Sequence, residues 1–394
     1  MASAVDATAK PVCDTPSDFE DVIFHKIDTK RVITLNRPKS LNALNLSMIR
    51  KIYPKLKIKT YLLQKYNENP NVNMVIIKGE GEKAFCSGGD VRAICESRYT
   101  NPKLAEDFFR EEYKLNYLIG SLQVPYIALI DGITMGGGVG LSVHGMYRVA
   151  TERTLFAMPE CQIGLFPDIG GTYFLPRLKG NLGPFLALTG HRLSGRDVFE
   201  AGIATHFVES SLVGISWLWD SGLSLIKDLE KELLILKAEN VNKSTVGAVL
   251  SEFSAKSCRM SEEFSLKQHM DKINGIFHVD MIEDIIKRLE KDPSDWSKNI
   301  LQTLLKMSPI SLKITVEALK LGSKMSLKEC LEMEYRLTQR VCADNDFYTG
   351  VTSVLIERGT KPSWNPETLS DVRSETMRHY FSPLPDDREL KLVT

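Results

Sequence analysis

The stretch ITMGGGVGLSVHG (Ile133–Gly145) sets three consecutive glycines between a short apolar run and a segment of small apolar residues, and the reading of that cluster decides the fold. Consecutive backbone N–H groups at the start of a helix commonly hold a phosphate. The neighbouring residues argue against that here. A Walker loop continues from its last glycine into Lys and then Ser or Thr, whereas Gly138 is followed by Val139 and Gly140. A dinucleotide fingerprint needs an acidic residue about 20 residues on, at the end of the next strand, and the nearby Glu152 stands in the turn sequence TER. Taken alone, the loop also reads as glycines that let a helix pack closely on a sheet.

Working outward, β-type runs alternate with helical ones. RVITLNRP (Arg31–Pro38) reads as a strand, and Leu44, Met48 and Ile52 in the segment after it recur at helical spacing. NMVIIKGEG is a fully apolar strand, AFCSGGDVRAIC a loop opening a helix, and VPYIALIDGI one buried strand running into the triple-glycine loop. This is α/β material with right-handed crossovers to about residue 210. Beyond it the chain turns charged and helical (IKDLEKELLILKAE, MIEDIIKRLEKD), with charge runs that read as solvated helix faces.

Composition narrows the partners. The 394 residues are 43% hydrophobic and 8% aromatic, enough to bury a large core. Fifty basic residues balance fifty acidic ones with no dense Lys/Arg tract, so neither nucleic acid nor a membrane surface is implied. The seven cysteines are odd in number and never spaced C-x-x-C, which fits a reducing compartment. The opening residues carry Asp6, Asp14 and Asp18 and lack arginine, so they do not read as a transit peptide. No His, Cys and carboxylate group has zinc-like spacing, and no metal is expected.

Two glycine loops, SGGD around Gly89 and MGGGVG around Gly137, therefore stand in equivalent places, each between an apolar strand and a helix. Two backbone N–H groups turned to one point would form an oxyanion hole, which needs close approach by a carbonyl and tolerates no Cβ in the way. Such a hole holds the oxygen of a thioester or ester as negative charge grows on it.

KAFCSGGDV (Lys83–Val91), DGITMGGGVGLSVHG and FAMPECQIGLFPDIGGTYFLPRL, in this order, resemble the crotonase superfamily of acyl-CoA enzymes. ITLNRPKSLNALN and ALTGHRLSGRDVFEAGIATHFV (Ala187–Val208) extend the resemblance, which covers the chain from about Val22 to Trp364. FREEY, MPE, GLFPD and the late EYRL and DF blocks make it look most like the branch that hydrolyses 3-hydroxyisobutyryl-CoA in valine breakdown. The resemblance implies an α/β fold of repeated ββα units forming a spiral, with a C-terminal α-helical module. The expected organisation is a flexible segment 1–21, a catalytic core 22–210, a helical insert and module 211–365, and a tail 366–394.

The resemblance also assigns roles. Gly89 and Gly137 match the backbone donors to the thioester oxygen, Glu160 the catalytic carboxylate shared with hydratases, Asp168 the second acid of the hydrolases, and Glu112 the contact to the substrate end. Hydratases carry a second glutamate three residues beyond the hole glycine, where this chain has Gly140, and typically a glycine at the Asp168 position. That departure favours thioester hydrolysis, with CoA as part of the substrate and no separate cofactor. A carboxylate is a weak base in water, pKa about 4, so burial near Met158 and Phe166 should raise one of the pair. Glu160 is expected as base or nucleophile, assisted by Asp168. Lys39 and Lys83 are candidates for the CoA phosphates.

Each residue also has a plainer reading. Glu160 after Pro159 reads as an exposed turn carboxylate, Asp168 after Pro167 as a turn cap, and Glu112 as a solvated helix residue. His144 reads as a core histidine bonded to backbone, and Cys86 and Cys161 as small hydrophobes. An enoyl-CoA hydratase or isomerase of the same fold, and a non-catalytic acyl-CoA-binding protein, are the alternative functions. The resemblance implies a mitochondrial matrix protein, with the cytoplasm as the alternative, and a homo-oligomer of unspecified number.

Overall fold

The computed structural model describes residues 20–57, 72–211, 224–257 and 263–393. Nearly all of the expected flexible segment 1–21, together with Cys13, Cys258 and the start of the helical region at 212–223, lies outside the described residues. The chain opens with β1 (Val22–Ile27), β2 (Lys30–Leu35) and α1 (Leu46–Leu56), whose first turn is capped by the Asn45 side chain accepting from Met48 N. Three strand pairs follow: β3 (Met74–Gly79) with β4 (Ala84–Cys86), then β5 (Tyr126–Ile130) with β6 (Ile133–Met135), then β7 (Tyr147–Ala150) with β8 (Leu155–Ala157). After β4 come α2 (Val91–Glu96) and α3 (Lys103–Ser121), and after β6 comes α4 (Gly137–Val143).

The first strand of each pair joins one sheet and the second joins another. The larger sheet has the order β1-β2-β3-β5-β7-β10, where β10 is His206–Phe207; the smaller has β4-β6-β8-β9, where β9 is Leu193–Ser194. This repetition is the spiral of ββα units expected from the sequence. The apolar run Val124–Ile133, expected as one strand, is two. The chain turns at Gly132 (φ +90°), where a β-carbon would lie 2.6 Å from Lys83 O, and passes from one sheet to the other.

Parallel strands buried on both faces explain the unbroken apolar runs. One face of the larger sheet (Ile33, Val75, Ile77, Ala128) packs into the main core with α1 and α3. The other (Val32, Met74, Ile76, Ile127, Val149) is covered by α8 (Leu225–Ile235) and α9 (Lys243–Ser257) through Leu229, Leu233, Val246 and Leu250. Each such side chain contributes about 1.5–3 kcal/mol on burial. The charged helices beyond residue 210 thus include a cover for the sheet.

Between β8 and β9 lie α5 (Gly171–Phe174) and α6 (Leu182–Thr189), and α7 (Asp197–Glu200) precedes β10. The later helices are α10 (Met270–Ile276), α11 (Ile282–Lys291), α12 (Asp295–Leu304), α13 (Pro309–Gly322), α14 (Leu327–Val341), α15 (Asn345–Val351) and α16 (Ser374–Phe381). α13 packs on α5 and α6, and α14 on α3. The last residues are anchored: Leu390 and Leu392 are buried, and Leu392 N donates to Glu332 at 2.9 Å. Among the described residues no helix is long and apolar enough to cross a membrane.

Candidate active site

The two glycine loops meet because their strands pair. β4 and β6 run parallel, so both loops leave the smaller sheet at the same end. The first loop is tied down by Leu44 N donating to Gly88 O and Asp90 N to Leu44 O, both at 2.8 Å. The second enters α4 at Gly137. A β-carbon on Gly137 would stand 3.1 Å from Gly89 N and 2.5 Å from Glu112 Oε1, so no larger residue fits where the loops touch. Among the described residues neither the Gly89 nor the Gly137 N–H has an acceptor. Two neighbouring, unpaired amide donors are what an oxyanion hole requires.

Three carboxyls surround this point. Glu112 comes from the inward face of α3, Glu160 from the single 3-10 turn Glu160–Ile163 that follows Pro159, and Asp168 from the loop before α5. They are 1%, 4% and 4% exposed, so the readings of a solvated helix residue and an exposed turn carboxylate do not hold; nor does that of Asp168 as a turn cap, since α5 has no side-chain cap. Glu160 Oε1 lies 3.1 Å from where a β-carbon on Gly136 would be, beside the second glycine loop. Glu160 Oε2 and Glu112 Oε1 are buried without a hydrogen-bond partner.

Burial raises all three. Desolvation lifts Glu160 well above the usual carboxylate range and Asp168 adds repulsion; Glu112 is raised by desolvation and then by Asp168 and Glu160. Asp168 is pushed up by burial to about 7, an effect opposed by the Tyr113 hydroxyl, which donates to Asp168 Oδ2 at 2.6 Å. Such a group holds charges poorly in the resting site and is suited to exchanging protons near neutral pH.

Three residues at the site were not singled out from sequence. Tyr113 and Asn116 sit one and four residues after Glu112 on the same buried face of α3. Helical spacing from Glu112 was the available signal. Glu334 on α14 occurs in the EYRL block, and its carboxyl accepts from Gly170 N at 2.7 Å, Thr172 N at 3.0 Å and Thr172 Oγ1 at 2.6 Å. It pins the loop that carries Asp168. Next to Asp168, Ile169 has φ +54°, and its carbonyl accepts from His144 Nε2 at 2.7 Å. His144 is a core histidine, its pKa pushed down by burial to about 4. Cys86 and Cys161 are buried with thiols pushed up to about 12, so neither is poised to react.

Gly140 is closed. A β-carbon there would lie 2.8 Å from Asn116 Nδ2 and 2.9 Å from Ile169 Cβ. Lys39 and Lys83 are exposed outside the carboxyl cluster, on neighbouring turns: a β-carbon on Gly81 would stand 3.6 Å from Pro38 Cβ.

Residues 30–381 match the family model described as enoyl-CoA hydratase/isomerase. Among curated proteins the chain is 50% identical over 366 residues to the human "3-hydroxyisobutyryl-CoA hydrolase, mitochondrial", covering 93% of this chain and 89% of that protein. The Xenopus tropicalis protein of the same name is 53% identical over 362 residues, covering 92% and 88%. Among solved structures, a carnitinyl-CoA dehydratase from Mycobacterium thermoresistibile superposes with a TM-score of 0.79 at 32% identity, covering 94% of this chain and 98% of that one. An enoyl-CoA hydratase from Rhodobacter sphaeroides gives 0.78 at 32% identity, covering 94% and 100%.

Proposed function

The chain belongs to the enoyl-CoA hydratase/isomerase family, and from that membership we propose that it hydrolyses the thioester of 3-hydroxyisobutyryl-CoA to free CoA and the hydroxy acid. The 50% identity to hydrolases named for this substrate supports the reaction. The observation that carries it in this chain is Gly140. The hydratases' second glutamate has no room there, while Asp168, buried and bonded to Tyr113, supplies the second acid from the loop before α5.

The chemistry follows from the arrangement. The thioester oxygen accepts from Gly89 N–H and Gly137 N–H. Water attacks the carbonyl carbon as Glu160 takes one of its protons, and the C=O electron pair moves onto the held oxygen. When the carbonyl re-forms, the C–S bond breaks and the sulfur leaves with a proton from the Glu160 and Asp168 pair. A variant route has the Glu160 carboxylate attack first, giving an anhydride that water then opens; the net balance is the same. Glu112 meets the hydroxyl of the acyl chain, and Lys39 and Lys83 meet the CoA phosphates. 3-Hydroxypropionyl-CoA has the same terminal chemistry and is the expected second substrate. The mitochondrial names of the relatives support action in the matrix, in valine breakdown.

The test is thiol release from 3-hydroxyisobutyryl-CoA by the parent and Glu160→Gln, beside loss of the crotonyl-CoA double-bond absorbance. The expected result is release by the parent, a fall in kcat of about 100-fold or more in the variant, and no change with crotonyl-CoA. Hydration of crotonyl-CoA without thiol release would instead support the reading suggested by the names of the two solved structures.

A further inference from the structure

α3 presents more to the site than Glu112 and Tyr113. Asn116, one turn beyond Glu112, is fully buried at 0% exposure, and both its side-chain atoms, Oδ1 and Nδ2, lack a hydrogen-bond partner. A primary amide offers two donors and one acceptor oxygen, and burial with all of them unpaired is costly enough that native cores rarely leave it so. The other unpaired buried side-chain oxygens around this point are Glu112 Oε1 and Glu160 Oε2. Three side chains with unused hydrogen-bonding capacity thus lie together at the two glycine loops, while the other two among the described residues, Tyr335 and Gln339, stand on α14.

Their order along the helices is informative. Glu112 and Asn116 are an i, i+4 pair on α3, and they face Gly137 and Gly140, an i, i+3 pair on α4. A β-carbon on Gly137 would lie 2.5 Å from Glu112 Oε1, and one on Gly140 would lie 2.8 Å from Asn116 Nδ2. Glu112 thus lies next to the proposed hole, and Asn116 about one helical turn further on, about 6 Å along the axis. An acyl chain whose carbonyl oxygen sits on Gly137 N–H carries its β-hydroxyl away from that point by two carbons. A hydroxyl both donates and accepts. Either orientation of the Asn116 amide supplies one donor and one acceptor, and an amide adds recognition without adding charge to a site already holding three carboxyls.

We infer that Asn116 is a second contact, beside Glu112, for the hydroxyl of the acyl chain, and that it determines specificity for β-hydroxyacyl thioesters. The inference rests on the proposed thioester hydrolysis for its substrate and on the unpaired amide for its residue. Asn116→Leu keeps the approximate shape and removes both polar atoms; Asn116→Ala removes them with less bulk and serves equally if the leucine variant does not fold. Each is compared with the parent in two measurements: kcat/KM for 3-hydroxyisobutyryl-CoA and isobutyryl-CoA, and Kd by calorimetry for the unhydrolysable thioethers of the same two acyl groups.

The expected result is a fall of about 10-fold or more in the preference for the hydroxylated member in both measurements, with isobutyryl-CoA turnover within about 2-fold of the parent. An unchanged preference, or equal losses with both substrates, would overturn the inference, because a purely structural amide or one holding a fixed water affects both alike. Equal binding of the two thioethers by the parent would overturn it as well. Absence of thiol release by the parent would reject the hydrolase reading alone; the thioether Kd ratios would still decide the role of Asn116.

Discussion

At Asp168 two influences oppose each other: burial pushes the carboxyl up to about 7, while the hydrogen bond from Tyr113 favours its charged form. Removing the hydroxyl removes only the second. In Tyr113→Phe the Asp168 carboxyl therefore rises further, and the loss of kcat/KM on acidification begins at a higher pH than in the parent. A profile of kcat/KM from pH 5 to 9 checks this, and a midpoint that stays or moves down would show that Tyr113 does not steady the anion. Neither the partnership nor the burial was legible from residues 113 and 168. Their side chains are 55 positions apart, and nothing local in FREEY or FPD says which aromatic meets which acid. Glu112, Glu160 and Asp168 themselves were picked out by motif, while their plain local readings pointed to solvent. Only packing decides between a surface carboxylate and a buried one.

At the scale of elements, the site depends on a helix from the far end of the chain. α14 starts with a capping box, Ser326 and Glu329, which sets its first turn and hence the register of Glu334 about two turns in. The Glu334 carboxyl then takes three donors from the turn 170–172, beside the left-handed Ile169. Glu334→Ala leaves those donors buried and unpaired, at a cost of about 3 kcal/mol. The expected outcome is a lower urea midpoint at unchanged slope, with kcat falling more than KM changes, because the loop that carries Asp168 loosens. A stability loss below about 1 kcal/mol would show that the loop is held by other contacts, such as His144 on the Ile169 carbonyl. From sequence, EYRL could be recognised as a block but not as a clamp. The acceptor's three partners lie more than 160 positions away.

Across the whole molecule, the buried carboxyls link the site to stability. Asp168 moves from its ordinary 3.8 to about 7 and Glu334 from 4.5 to about 8, with Glu112 and Glu160 displaced in the same direction. Through these four carboxyls the folded chain holds more protons than the unfolded chain between about pH 4 and 8. Stability present below the unfolded values is lost as pH rises through the folded ones. His144, lowered from 6.5 to about 4, acts with the opposite sign in mildly acidic solution, as do His191 and His206, both lowered by burial, and all three are neutral in both states once the pH is well above 6.5. The Tm is thus expected to fall as pH rises from about 7 to 8. Asp168→Asn removes one of the titrations, so its stability relative to the parent should rise between pH 4 and 7, a comparison in which the histidine cancels. Scanning calorimetry at a series of pH values measures both; a difference that stays flat with pH would mean that folding leaves the Asp168 carboxyl at its ordinary value.

What the sequence by itself determined is the repetition. Apolar strands running into glycine loops, in blocks specific to one superfamily, carried the spiral fold and pointed to Gly89, Gly137 and the carboxyls at 112, 160 and 168, which the structure brings together, because each of those signals is local and chemical. The tertiary structure decided the rest. That VPYIALIDGI splits at Gly132 between two sheets depends on a close approach to Lys83 O from another strand pair. That Gly140 has no room for an acid depends on Asn116 and Ile169, and that Asp168 is held depends on Tyr113 and Glu334. These are contacts between elements distant in the chain. A residue's partners there are set by how helices and sheets pack, and the residue itself carries no record of them.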